Sequence, residues 1–382
     1  MISPRRGPGR TFTGAPVMVF RALRVVSVWL VGLAVLSAGC GSPGQNPSAG
    51  QSPPAGQSAS PTQPNQGLPS SCTRTITRSD QAPTVLAAAM PGDTLCFSGG
   101  DLADASLSMI RSGTAAAPIT LLSDGGAVSE IQIKGDHVIL QGFTVTGGGG
   151  VLLEGAGITA RNNTIHDTRQ GGITCHPCTD STIEGNTIRH AATNGIDITG
   201  QRITVHANSI SDTVAVNNGD ADGVRFYGNG FRMTDNTIFD ISAEGYRSPP
   251  HPDCFQTFDQ NRPPTFDVVI SGNNCRNVDA QCLIATGDQD SNGGAPAGVT
   301  TITFENNQCA NNGAQAVNLR RWPRVQVLHN TFSGPNITRA VLIIDGSTGC
   351  SVIGNTTTQG RPTVDIDNSS RSGSTVQDNS PA

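Results

Sequence analysis

The sequence predicts an all-β chain wound as a solenoid of stacked parallel strands. Three observations predict it. A short pattern led by asparagine recurs at a near-constant spacing, apolar residues alternate just ahead of it, and no window sustains a helical apolar period. The pattern reads Asn163-Thr164-Ile165, Asn186-Thr187-Ile188, Asn208-Ser209-Ile210 and Asn236-Thr237-Ile238, and continues more loosely at Asn273, Asn307, Asn330 and Asn355. Subtracting neighbours gives steps of 23, 22, 28, 37, 34, 23 and 25 residues. Such a period with local insertions marks a repeat architecture in which each coil packs only on its neighbours. Three positions before each asparagine lie Ala160, Ile183, Val205, Met233, Ile270, Phe304, Val327 and Val352, and the positions five before are mostly apolar too. Alternation of this kind is a strand with one face inward, stacked about 4.8 Å from the next coil. Asparagine suits the repeated turn because it tolerates left-handed backbone and can hydrogen-bond within its own column.

The ends have a different composition. Residues 18–40 place Arg21 and Arg24 before an apolar run that ends Leu36-Ser37-Ala38-Gly39-Cys40. This is an export signal over residues 1–39, and its last residues resemble a bacterial lipobox. The resemblance implies cleavage before Cys40, lipidation of the Cys40 thiol and a lipid anchor on the outer face of the cell membrane. Residues 40–71 are rich in Gly, Ser, Pro and Gln and read as a flexible tether. Thirty such residues span about 30 Å root-mean-square. The solenoid is expected over residues 72–370, with a polar tail at 371–382. The formal charge is −5, and losing the five arginines and no acid of residues 1–39 gives −5 − 5 = −10. So acidic a chain is a poor nucleic-acid ligand, which excludes that class of partner.

In chain order, Pro83 to Met90 is the one helical stretch, followed by a Pro91-Gly92-Asp93 turn into a strand. This resembles the N-terminal cap of parallel β-helix proteins, which covers an otherwise open solenoid end. Strands follow around Ile119–Leu122, Ile131–Ile133 and Val138–Val145, and the regular coils then begin. The Asn column on roughly 23-residue coils resembles the right-handed parallel β-helix of the pectate-lyase-like superfamily, over about residues 73–370. That resemblance implies a carbohydrate-active enzyme, a hydrolase or lyase acting on a polysaccharide or cell-wall glycan, working as a monomer.

An oxidising compartment makes disulfides the default for the cysteines. Cys72 and Cys96 flank the cap and are expected to pair. Cys175-His176-Pro177-Cys178 is read as a local disulfide, with a metal or redox site as alternatives. Cys254 aligns with Cys282, and Cys275 with Cys309, in consecutive coils. Stacked neighbours lie within disulfide reach, so Cys254–Cys282 and Cys275–Cys309 are the expected bridges. Cys350 is expected as a buried free thiol.

A solenoid shows its binding face where coils are enlarged. Asn186 to Gly195 is nine residues, whereas Asn208 to Gly223 is fifteen and Asn236 to Cys254 is eighteen. Cys254 to Asn273 and Cys282 to Asn307 are lengthened on the far side. The insertions flank one strand column over residues 194–320 and predict a groove across it. On its floor Ile196, Val224, Phe255, Leu283 and Val317 share the inward parity. Asp197, Arg225, Gln256, Ile284 and Asn318 face out. Asp222, Asp253 and Asp220 are candidate acid and base for glycoside hydrolysis, and equally candidate Ca²⁺ ligands. His251 and Arg225 join them as catalytic candidates. Tyr227, Tyr246, Gln256, Asp197 and Arg320 are candidate substrate contacts, with Phe226, Phe258 and Trp322 as aromatic surface. Asp259 and Asp288 are weaker candidates. The resemblance implies a lysine or arginine base in many lyases; the sole lysine, Lys134, lies in an early coil, so Arg225, His251 or a tyrosine would have to serve. The competing readings are a non-catalytic surface module that binds glycan or protein along the groove, and a metal-delivery solenoid.

Overall fold

The computed structural model describes residues 71–288 and 295–381. The expected export signal, the expected tether up to residue 70 and Cys40 lie outside the described residues. The strand Arg74–Arg78 pairs with Thr94–Asp101, and a 3₁₀ turn and the helix Ala82–Ala87 close over the first coil. Proline in the first turn of that helix fits its entry, where an N–H has no intrahelical partner. Leu86 and Ala89 are buried beneath it. Among the described residues no helix is long and apolar enough to cross a membrane.

Three parallel strand columns then stack coil upon coil. One holds thirteen strands, from Arg74–Arg78 to Thr375–Gln377, and ends each coil just before the asparagine. The second starts just after the asparagine, as in Thr187–Ala191, Ser209–Ser211 and Thr237–Ile241. The third is the floor column: Asn194–Gln201, Asp222–Asn229, Phe255–Phe258, Leu283–Thr286 and Val317–Arg320 are successive members. One continuous apolar core fills the interior, because every strand turns alternate residues inward.

The asparagine column is a hydrogen-bonded ladder. Asn186 Oδ1 accepts from both the backbone N–H and the Nδ2 of Asn163, at 3.0 and 2.9 Å. The same pair of bonds repeats from Asn186 to Asn208 and on to Asn236, Asn273, Asn307, Asn330, Asn355 and Asn379. Each Nδ2 also donates to a carbonyl of the preceding coil, as Asn236 does to Val205 at 2.9 Å. The left-handed residue is not the asparagine but the one before it: Asn162, Gly185, Ala207, Asp235, Gly272, Asn306, His329, Gly354 and Asp378 all have φ between 52° and 69°. The asparagine itself points inward and serves as the rung. Asn379 is a ninth rung, and the strand Thr375–Gln377 pairs with Ser351–Ile353, so the coils run on through the stretch expected as a polar tail.

Two of the four expected bridges are present, Cys72–Cys96 and Cys175–Cys178. The other two are not. Cys254 pairs with Cys275, and Cys282, Cys309 and Cys350 are buried thiols. Stacking does align Cys275 with Cys309, but the bond runs across a corner of the interior within one coil. Both side chains of that pair point into the same corner, whereas stacked residues point side by side. Burial pushes the Cys350 thiol up to about 11.

Candidate functional site

The floor strands keep the predicted register. Ile196, Val224, Phe255, Leu283 and Val317 stack inward, and Asp197, Arg225, Gln256, Ile284 and Asn318 stack outward. The insertions lie between Ser211 and Asp222 and between Ile241 and Phe255 on one side, and between Phe258 and Val268 and between Thr286 and Ile302 on the other. Hydrogen bonds tie them together. Tyr246 Oη accepts from Ala215 N–H at 3.1 Å, joining the two insertions on the first side. On the second side Asp259 Oδ1 accepts from Asp288 N–H at 2.8 Å, and Gln260 Nε2 donates to Asp288 Oδ1 at 2.8 Å.

At the start of the floor strands runs a second polar column, Asn194, Asp222, Asp253 and Gln281. Asp222 Oδ1 accepts from Asp253 N–H at 2.9 Å, and Asp253 Oδ1 accepts from Gln281 N–H at 2.7 Å. One oxygen of each carboxylate thus does what the ladder asparagines do. The other oxygen meets a cation. Asp222 Oδ2 accepts from Arg225 Nε at 2.5 Å, and Asp253 Oδ2 lies 3.0 Å from His251 Nδ1. Both carboxylates have no exposed side-chain surface, whereas the His251 side chain is 52% exposed. Asp220 joins from the insertion: its Oδ1 accepts from His251 N–H, and its Oδ2 lies 3.5 Å from Arg225 and 3.4 Å from Gln256 Nε2.

Burial pushes the carboxyls of Asp222 and Asp253 up, because it penalises the charged form. Arg225 pulls Asp222 back down and His251 does the same for Asp253. The imidazole of His251 is raised to about 9, chiefly by its hydrogen bond to Asp253. It therefore carries its proton at neutral pH. Asp197 is raised by burial beside Arg225 and Arg262.

The sequence expectations divide. Asp220, Asp222, Asp253, His251, Arg225 and Gln256 are brought together. Asp222 and Asp253, expected as the acid and base themselves, are sealed beneath Arg225 and His251. The three carboxylates do not converge on one point for Ca²⁺: among the described residues, only Cys254, Cys275 and Cys282 bring three such ligand atoms within 4.8 Å of one another. Tyr227 faces outward but is fully covered, with Arg262 4.3 Å over its ring and Phe258 edge-on at 5.0 Å, and burial raises its hydroxyl. Tyr246 straps two insertions together. Phe226 and Trp322 are core residues with no exposed surface. Arg320 turns away to Asp345 at 2.7 Å. Lys134 pairs with Glu154 at 3.0 Å, outside the cluster. Arg262 was not anticipated; the one signal for it is that it is the cation of the insertion after Phe258.

Among the described residues, six of the eight buried side-chain polar atoms without a partner belong to this floor: Asp197 Oδ1, Thr199 Oγ1, Tyr227 Oη, Gln256 Oε1, Gln281 Oε1 and Asn318 Oδ1. Buried polar atoms are almost always paired, so their gathering on one face sets this floor apart from the rest of the described solenoid. A separate concavity at the cap, lined by Arg78, Asp80, Asp101 and Asp104, has only exposed charged groups and no such atoms.

Residues 124–248 match the family model for a right-handed beta helix region. This chain is a right-handed parallel β-helix. Several solved structures share the fold. An alginate lyase from Paenibacillus sp. str. FPU-7 superposes with a TM-score of 0.53 and 18% identity, over 78% of this chain and 99% of that one. The catalytic unit of an α-1,3-glucanase from Streptomyces thermodiastaticus gives 0.53 and 12%, over 82% and 69%. A double-mutant tailspike protein of the E. coli bacteriophage HK620 gives 0.53 and 12%, over 80% of this chain and 62% of its own. At these identities the likeness is one of fold. No curated protein matches the β-helix in sequence.

Proposed function

We propose that this β-helix is a carbohydrate-active enzyme that cleaves a polysaccharide laid across the coils at 194–320, with His251 as the group that transfers the proton. The observation that carries this reading is the half-exposed imidazole held by a fully buried carboxylate, at the edge of the outward row of Asp197, Arg225, Gln256 and Asn318. Asp253 fixes the His251 ring through Nδ1 and leaves Nε2 free to face a substrate. A value near 9 makes His251 an acid at neutral pH, suited to protonating a leaving glycosidic oxygen. Asp220, partly exposed and beside Arg225 and Gln256, is the carboxylate placed to activate water or stabilise developing positive charge. Hydrolysis follows from that assignment; elimination would need His251 neutral, as it is only at alkaline pH. The solved polysaccharide-cleaving β-helices named above support the substrate class by likeness of fold.

The complete burial of Asp222 and Asp253 favours a second reading, a glycan-binding module without catalysis. A polysaccharide panel decides, read for reducing ends and for absorbance near 235 nm. Reducing ends without absorbance, lost in His251→Ala, are the expected result. Absorbance that grows towards pH 9 would make His251 the base of an elimination. Binding without either product would leave the module. We further propose that the protein is exported and held at the envelope by lipid on Cys40. Mass spectrometry of the exported protein should find the acylated Cys40 at its N-terminus; an unmodified cysteine rejects the anchor.

A further inference from the structure

Behind the floor strands, four cysteines share one corner of the solenoid over two coils, and the sulfurs of Cys254, Cys275 and Cys282 lie within 4.8 Å of one another. At one corner of each coil, the residue that opens the floor strand faces the apolar residue two places after a ladder asparagine. In two coils these are glycine and isoleucine: a Cβ on Gly223 would lie 2.6 Å from Ile238 Cγ2, and one on Gly195 would strike Ile210. In the next coil the same two positions are Cys254 and Cys275, bonded with Cα atoms 6.2 Å apart. One coil further they are Cys282 and Cys309. Cys275 is in register with Cys309, and Phe255, after Cys254, is in register with Leu283, after Cys282. Cys282 and Cys309 are both buried free thiols. Cys282 Sγ also lies 3.9 Å from Asn311 Oδ1.

We propose that Cys282 and Cys309 form a disulfide in the oxidised protein, one coil above Cys254–Cys275, so that two bridges stack across the same corner directly behind Asp253 and Gln281. The backbone that already carries one bridge there is repeated in the next coil, so the second needs no new geometry. A tetrathiolate metal site would need four free thiolates, and two of these sulfurs are already joined. The step is a two-electron oxidation. Both thiols lose a proton, one sulfur–sulfur bond forms, and a disulfide oxidant such as glutathione disulfide is reduced to two thiols through a mixed disulfide. Neither sulfur is open to solvent in the folded coils, so the bond closes while these coils assemble.

The test is to unfold and reduce the purified chain, refold it in a glutathione redox buffer, and alkylate it in denaturant without reductant. Peptide mapping should then find a linked pair containing Cys282 and Cys309, with neither alkylated and Cys350 alkylated. Alkylation of both beside an intact Cys254–Cys275 bridge overturns the proposal. So do Cys254–Cys282 and Cys275–Cys309 links, or one zinc ion released per chain on acid denaturation. In Cys282→Ser, Cys309 should gain an alkyl group while Cys254–Cys275 persists. If Cys309 stays protected, its partner is another cysteine and the pairing is wrong.

Discussion

Two columns of buried polar residues run along this solenoid, and they differ in what they leave over. The asparagine ladder closes on itself. Each side-chain oxygen takes two N–H donors from the coil before it, and each Nδ2 spends its hydrogens on the next oxygen and a carbonyl. Nothing is left to bind anything else. The column of Asn194, Asp222, Asp253 and Gln281 uses one oxygen of each carboxylate in the same way and leaves the other to a cation near the surface. Replacing a neutral amide by a carboxylate lets a structural rung hold a cation near the surface, because a buried charge demands a partner and that partner has to reach outward.

Breaking the first column should have the larger effect on folding. Asn236→Ala strips the acceptor from Asn208 N–H and Nδ2 and the donor from Val205 O, all in the interior. Buried groups left unpaired cost about 1–3 kcal/mol each, so a loss of about 3 kcal/mol or more is expected in urea unfolding. A loss below about 1 kcal/mol would mean the ladder is passive. Asp253→Asn keeps an acceptor for Gln281 N–H but loses the charge that holds His251. Cleavage should fall by about 100-fold or more, the usual scale for general acid–base groups, with a smaller loss of stability than in Asn236→Ala. If stability falls as far as in Asn236→Ala, the Asp column is only another ladder. Arg262→Ala removes a cation stacked on Tyr227, an interaction of about 0.5–1 kcal/mol. Glycan affinity should weaken a few-fold in calorimetry, without loss of fold.

The pH dependence sharpens the same contrast. His251 has a value of about 9 in the folded chain, above the ordinary 6.5. Stabilisation from its pairing with Asp253 is therefore full below about pH 6.5 and is lost as pH rises through about 9. Melting temperatures of the wild type and His251→Gln should differ at pH 6 and converge by pH 10. The ladder carries no charge, so Asn236→Ala should shift melting equally at both.

The outward row Asp197, Arg225, Gln256, Asn318 was legible in the sequence because period-two alternation survives any change in loop length. So was the gathering of Asp220, Asp222, His251 and Asp253, since enlarged coils place their insertions over neighbouring strands. The exposure of each group was not legible. Tyr227 has the outward parity, yet Phe258 of the next floor strand and Arg262 of the insertion after it cover it. Asp222 and Asp253 stand at strand starts that look like surface, yet they complete the hydrogen bonds of the next coil. The cysteines show the same limit. Register told which of them stack, but the direction of each side chain within the corner decided which of them bond.

By itself, then, the sequence determined the winding, the column of rungs, the cap and the coils that carry the site. Those follow from periodicity, which each short stretch of chain states locally. Only the tertiary structure decided which carboxylates are sealed, which cation stands in front of each and which sulfurs meet. Those depend on how insertions from coils tens of residues apart fold over one face, and no local pattern carries that distance.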